Sequence, residues 1–179
     1  MNHLEITTIY VTHDQEEALS ISDKLVIMNA GKAQQIGTPR EVYETPINQF
    51  VAYFVGMANF IKGKITDISG EDVSVSTEYG AIKSKTKGGL KKGMTVLVSV
   101  RPEALTAHKH GVALKEMNLI DGVVKLMTYL GSVVRYEVET PLGELMKVDV
   151  YNPKEAKIFQ DGEKVILAFK SDDATLIPI

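Results

Sequence analysis

GMTVLVSVRPE, residues 93–103, is answered sixty-odd residues later by GEKVILAFKSD, residues 162–172. In each, a glycine turn opens a run of alternating apolar residues. A polar, acidic turn follows, and then a short terminal strand, through Leu105 in one case and Leu176 in the other. A hairpin-like stretch lies upstream of each. This echo points to two similar β-units packed on each other, together large enough to bury one core.

The residues around the echo agree. FIKGKITDI, DVSVST, DGVVKLMTY, VVRYEVET and LMKVDV are short runs rich in β-branched and aromatic residues, separated by Gly, Asn, Asp and Pro. Such spacing predicts a small barrel or sandwich. We therefore expect residues 58–179 to form an OB-like β-barrel or sandwich built from two β-units.

Residues 1–57 have a different texture. ITTIYV, residues 6–11, is apolar and β-branched almost throughout and suits a strand buried on both faces. Asp14 is placed to cap a helix over residues 14–21, with Glu17 as its box partner. Residues 24–29 predict a strand, Ala30-Gly31 a turn, and Lys32–Ile36 the returning arm of a hairpin. Thr38, Pro39 and Glu41 form a cap, a first-turn proline and a box partner for a helix that ends near Thr45-Pro46. A second helix starts at about Asn48 and carries Phe50, Val51, Phe54 and Val55 at helical spacing. Gly56 is placed to stop it. The chain thus reads as mainly β with an N-terminal α/β remnant, divided at residues 57 and 58.

Composition removes several function classes. The chain has 179 residues, 44% hydrophobic and 24% charged, and no cysteine. Disulfides and cysteine-based zinc sites are excluded. No apolar run reaches the roughly 18–20 residues of a spanning helix. Residues 1–57 carry three Lys/Arg against seven Asp/Glu, and residues 58–179 seventeen against sixteen. Neither part is the basic body that phosphate-driven nucleic-acid binding requires.

His13 is the one titratable group whose position suggests chemistry. It follows an apolar strand and precedes a helix start, where ligands bind in open α/β sheets. The stretch YVTHDQEEAL, residues 10–19, resembles the switch-histidine segment of ABC transporter ATPases. VIMNAGK (residues 26–32) and GTPREVY (residues 37–43) are similar to the segments that follow it in that family, and residues 50–56 resemble the end of the nucleotide-binding domain. The resemblance implies that His13 contacts the γ-phosphate and helps set the hydrolytic water in an intact protein.

Other parts of that machinery are not in the sequence. No G-x-x-x-x-G-K-[ST] loop is present to cradle phosphates. There is no L-S-G-G-Q signature and no apolar run ending in Asp-Glu to hold magnesium. The family places all of these ahead of the switch histidine. The expectation is a truncated chain, not itself an enzyme and without a cofactor of its own, whose intact form uses ATP and magnesium. The strand at residues 6–11 would then lack its neighbours, and residues 1–12 are expected to be disordered, or swapped onto or stacked against a second copy.

The second part resembles the transport-associated OB regulatory domain of importer ATPases of the sugar, polyamine and ferric-iron type. Asn59-Phe60, the run from Ser99 through Arg101-Pro102-Glu103, and Tyr129-Leu130-Gly131-Ser132 with Arg135-Tyr136 carry the resemblance. Arg101 and Glu103 are candidates for pairing across a domain or subunit boundary, against an exposed turn with a weak ion pair. Ser132 and Arg135 are candidate ligand contacts, against a structural turn around Gly131. The lysines at 83, 85, 87, 91 and 92 read as a solvated loop, because stacking aromatics are missing there. His3, His108 and His110 show no metal spacing, and His108 and His110 are expected in an exposed loop.

Two functions follow. One is a regulatory and dimerisation region of an importer's ATP-binding subunit. Its partners would be a second copy, membrane permease subunits and a small-molecule or protein regulator, not nucleic acid. It would sit in the cytoplasm, at the inner face of the plasma membrane through the permease. The other is a stand-alone OB-type module that binds a small anion or an oligonucleotide.

Overall fold

The structure is a computed structural model that describes residues 7–86, 88–112, 114–154 and 158–179. Among these are three α-helices and twelve strands. A short N-terminal segment holds α1 (Gln15–Ile21), the hairpin β1 (Leu25–Asn29) and β2 (Lys32–Gly37), α2 (Pro39–Glu44) and α3 (Gln49–Phe54). The remaining strands build a β-lobe.

The lobe is made of two units with one plan. The first runs β3 (Asn59–Ser69), β4 (Asp72–Thr77), β5 (Gly80–Lys85), β6 (Thr95–Val100), a 3-10 turn at Pro102–Ala104, and β7 (Thr106–Lys109). The second runs β8 (Asn118–Tyr129), β9 (Val133–Glu139), β10 (Leu145–Tyr151), β11 (Lys164–Phe169), a 3-10 turn at Ser171–Asp173, and β12 (Ala174–Pro178). The repeat seen around Gly93 and Gly162 is therefore structural. It includes a register break in each long strand, at Ile65/Asp67 and at Val124/Leu126. Such a break bends a strand and lets a sheet curl.

The units exchange their last strands. One five-stranded antiparallel sheet has the order β12-β6-β3-β4-β5, the other β10-β9-β8-β11-β7. Thr175 of β12 pairs with Ser99, and Thr106 of β7 pairs with Ala168, at matching points of the repeat. Each sheet curls so that its fifth strand nears its first: the Ser84 hydroxyl of β5 donates to Ala174 O of β12 at 2.6 Å. The result is a pair of OB-like barrels, each completed by the other's strand. The alternating residues of both face a single core that includes Val96, Val98, Tyr136, Leu167 and Phe169.

Two glycines make the curl possible. A Cβ at Gly63 would stand 2.8 Å from Ser76 O and against Val75, and one at Gly122 would press on Val138 and stand 3.1 Å from Glu139 O. Only a residue without a side chain permits that approach. Lys83 and Lys85, expected in a solvated loop, sit in strand β5, where GAIKSK contributes only Ile82 and Ser84 to the interior.

The N-terminal segment keeps a small core of its own, with Leu25, Ile27, Val42, Val51 and Val55. It rests on the outer face of the first sheet, where Ala52 of α3 meets Leu97 and Ile177, with Phe60 beside them. The box at α2 is as expected, with Glu41 N donating to Thr38 Oγ1 and Thr38 N to Glu41. At α1 the box is relayed. Asp14 N donates to Thr12 Oγ1, and that hydroxyl donates to Glu17 at 2.9 Å.

Three expectations change. Residues 7–11 form no strand, and Ile9 and Val11 are 90% and 89% exposed. A strand needs a hydrogen-bonding neighbour, and the described residues supply none; residues 1–6 lie outside them. Gly56 follows the end of α3 but is not in the left-handed conformation, and the cap is Val55. His108 sits in strand β7, not in a loop. His3 and Lys87 lie outside the described residues.

Candidate functional site

The most heavily bonded polar side chain at the junction is that of Arg101. Strand β6 ends one residue before it, and Pro102 fixes the backbone into the 3-10 turn that follows. This turn aims the guanidinium at the N-terminal segment. Nη1 donates to Ala52 O at 2.8 Å and to Gly56 O and Met57 O at 3.0 Å. Nη2 donates to Tyr43 O at 3.0 Å.

Those acceptors have a common origin. Ala52 lies in the last turn of α3 and Tyr43 in the last turn of α2, while Gly56 and Met57 follow the end of α3. Terminal carbonyls of a helix lack intrahelical donors and carry partial negative charge. A planar cation with several donors satisfies both helix ends at once. The Tyr43 ring lies against the same guanidinium, 4.2 Å from Cζ to centroid, a favourable cation–π arrangement. Gly56 leaves room for it: a Cβ there would stand 3.3 Å from Nη1.

Glu103 completes the arrangement by accepting a short hydrogen bond from the Tyr43 hydroxyl. Burial, and then this bond, push the Tyr43 phenol up to about 12. Burial pulls the Arg101 guanidinium below its usual value, while Glu103 and Tyr43 act against that. Arg101 and Glu103 thus do not pair with each other. Both contact the N-terminal segment, Arg101 through four backbone carbonyls and Glu103 through the Tyr43 hydroxyl.

Arg135 lies near this cluster in a different role. It faces Asp149 across the β9–β10 ladder, with Nε–Oδ1 and Nη2–Oδ2 distances of 2.7 Å. Hydrogen bonding to Asp149 raises its pKa, and Tyr151 and Glu103 add to the effect. The same place in the first unit holds Asp72 and Lys85, paired at 2.7 Å with the charges reversed. Ser132 is exposed in the two-residue Gly131-Ser132 turn of the β8–β9 hairpin, where Gly131 has φ +83°. His13 is exposed one residue before the cap of α1. Among the described residues, no hydrogen bond or ion pair joins His13 to Arg101, Glu103, Ser132 or Arg135. Sequence reasoning missed Tyr43 and Asp149. Their signal was weak, since an aromatic on a helix and an acid on a strand are both common on ordinary surfaces.

Among the described residues, no group of three or more His, Asp or Glu side chains could hold a metal ion. No described helix is long and apolar enough to cross a membrane.

The β-lobe of two strand-exchanged OB-like units, clasped to a helical segment through Arg101, is similar over nearly the whole chain to parts of known import ATP-binding proteins. Residues 98–177 match the family described as TOBE domain. The spermidine/putrescine import ATP-binding protein PotA of Thermotoga maritima is 34% identical over 179 residues, 97% of this chain and 49% of the relative. That of Fusobacterium nucleatum is 39% identical over 165 residues, 90% of this chain and 44% of the relative. The Fe(3+) ions import ATP-binding protein FbpC 1 of Rhizobium meliloti is 35% identical over 175 residues, 97% of this chain and 46% of the relative. The chain is thus related along nearly all its length to import ATP-binding proteins, and it spans about half the length of the curated relatives it matches. Among solved structures, the cytoplasmic molybdate-binding protein ModG with molybdate bound shares the fold, with a TM-score of 0.59 and 16% identity over 67% of this chain and 96% of that one.

Proposed function

We propose that this chain is the regulatory and dimer-holding region of an ABC importer's ATP-binding subunit, coupling ATP hydrolysis to solute uptake in the whole protein. The observation that carries this reading is the Arg101 clasp. It ties the β-lobe to the helices that follow His13, so a movement of the lobe is transmitted to the segment bearing that histidine. The two larger hydrophobic clusters, one on each side, support a division at residues 57 and 58 into an end of the nucleotide-binding domain and a regulatory lobe, joined by a third around Ala52, Leu97 and Ile177. His13 acts on the γ-phosphate, and ATP and magnesium belong to the whole subunit. Its partners are a second copy and the membrane permease, which hold it at the cytoplasmic face of the membrane. Glu103 acts with Arg101 in coupling, and Ser132 and Arg135 mark the side of the lobe on which a regulator would approach.

The test is a chimera in which the N-terminal half of the Thermotoga maritima relative precedes this chain. His13→Ala is expected to lower its ATP turnover by about 100-fold, equal to a loss of about 2.7 kcal/mol in transition-state stabilisation. Unchanged turnover would overturn the reading.

The likeness to ModG supports a second reading, a stand-alone module that binds a small anion. A thermal-shift comparison of molybdate, sulfate and a short single-stranded DNA separates the two. A ligand at about 100 times its Kd adds about 2.7 kcal/mol of stability, and a shift with any of the three would favour the second.

A further inference from the structure

The chain from Met57 to Phe60 has two occupied sides. On one, Met57 O accepts from Arg101. On the other, Met57 and Phe60 wall a cleft of about 270 Å³ that Tyr53 of α3 and Glu144, Leu145 and Lys147 of the second β-unit enclose. Its surface is largely apolar, and Tyr53 and Leu145 are 69% and 57% exposed.

Two opposite charges stand in this cleft without neutralising each other. Among the described residues, the ammonium of half-buried Lys147 finds only the thioether of Met57, at 3.9 Å, and sulfur is a weak acceptor. Glu137 lies directly across the ladder from Lys147, yet among the described residues the two form no ion pair. Glu144 takes a hydrogen bond from the Tyr79 hydroxyl through Oε2 at 2.6 Å, which leaves its other oxygen open to a donor.

We propose that this cleft binds an extended zwitterion, with a carboxylate at one end, an ammonium at the other and a short apolar chain between. Lys147 receives the carboxylate and Glu144 the ammonium, while the methylenes lie against Phe60, Leu145 and Tyr53. A strand advances about 3.3 Å per residue, which sets the backbones at 144 and 147 roughly 10 Å apart. The placement of the ligand's two charges at the ends of a chain follows this backbone spacing. A pure anion would meet Glu144, and a pure cation would meet Lys147. The site does not depend on the transport reading.

Calorimetry on the full chain with 6-aminohexanoate, hexanoate and hexylamine tests this. The zwitterion is expected to bind about tenfold tighter than either singly charged analogue. Lys147→Met should remove its advantage over hexylamine, and Glu144→Gln its advantage over hexanoate. Lys164→Met, in a different cleft beside His110 and Asp121, should change nothing. Amide shifts of Tyr53, Phe60 and Leu145 on titrating the unaltered chain provide a readout that needs no variant. Equal binding of hexylamine or hexanoate, insensitivity to Lys147→Met, or no binding of 6-aminohexanoate at about 10 mM would overturn the proposal.

Discussion

Asn59 and Asn118 hold the same post in the two β-units and do the same thing there. Each is the first residue of its unit's long strand, and each uses its carboxamide as a substitute peptide group toward the other unit. Asn59 Nδ2 donates to Lys147 O at 2.9 Å and its Oδ1 accepts from Lys147 N at 2.8 Å. Asn118 does likewise with Lys83, at 2.8 and 2.7 Å. The outermost strands β5 and β10 thereby gain partners that the ladders do not give them. Both asparagines are buried, so the bonds are sheltered from water. Asn59→Ala and Asn118→Ala should each cost about 2 kcal/mol, from leaving a backbone donor and an acceptor unpaired. Urea unfolding would show it, and similar losses at the two sites would establish their equivalence.

Arg101 should be intolerant of conservative change. Arg101→Ala abandons four carbonyls, two in the last turns of α2 and α3 and two just after α3, and is expected to cost about 2–3 kcal/mol. Arg101→Lys keeps the charge but loses the planar fork, so it should recover less than half of that. Hydrogen exchange would localise the effect. Protection should fall in α2 and α3 and persist in β6 and β11.

Two tyrosines should titrate late. Burial first, and then hydrogen bonds to Glu103 and Glu144, push Tyr43 and Tyr79 each up to about 12 from an ordinary value of 10. A folded-state pKa above the unfolded one means that the folded protein holds the proton more tightly. The associated stability is complete below pH 10 and is lost as the pH rises toward about 12. A tyrosinate absorbance titration of the seven tyrosines should show a late fraction, and Tyr43→Phe and Tyr79→Phe should each remove part of it.

The two pseudo-equivalent ion pairs should differ in worth. The Asp149 side chain is 7% exposed and that of Arg135 26%, whereas Lys85 and Asp72 are 41% and 70% exposed. Removing one partner of a sheltered pair strands the other charge, so Asp149→Ala should cost about 3 kcal/mol. Asp72→Ala should stay within about 1 kcal/mol. Thermal melts of both variants, with and without added salt, would distinguish them.

Gly63→Ala and Gly122→Ala test the curl of the barrels. Each new methyl would meet a valine and a backbone carbonyl of the neighbouring strand. Overpacking of this kind costs about 1–3 kcal/mol. Gly70, with open space about its Cα but φ +62°, is a contrasting site where any penalty comes from the backbone alone.

The sequence by itself determined the units. The repeat at Gly93 and Gly162, the caps at Asp14 and Thr38, and the alternating strands are local signals. They were legible because a capping bond or a two-residue period spans only neighbouring residues. Tertiary structure alone decided the partners. The exchange of β7 and β12 between sheets is invisible in the chain, because either sheet could accept either strand by pattern. Strand β5 was missed because few of its residues reach the core. The 7–11 segment reads as a strand by composition yet forms none, because a strand exists only with a neighbour to bond it. The reach of Arg101 to Tyr43, Ala52, Gly56 and Met57 likewise required the fold. Those carbonyls belong to residues more than forty positions away, and a backbone acceptor leaves no trace in residue identity.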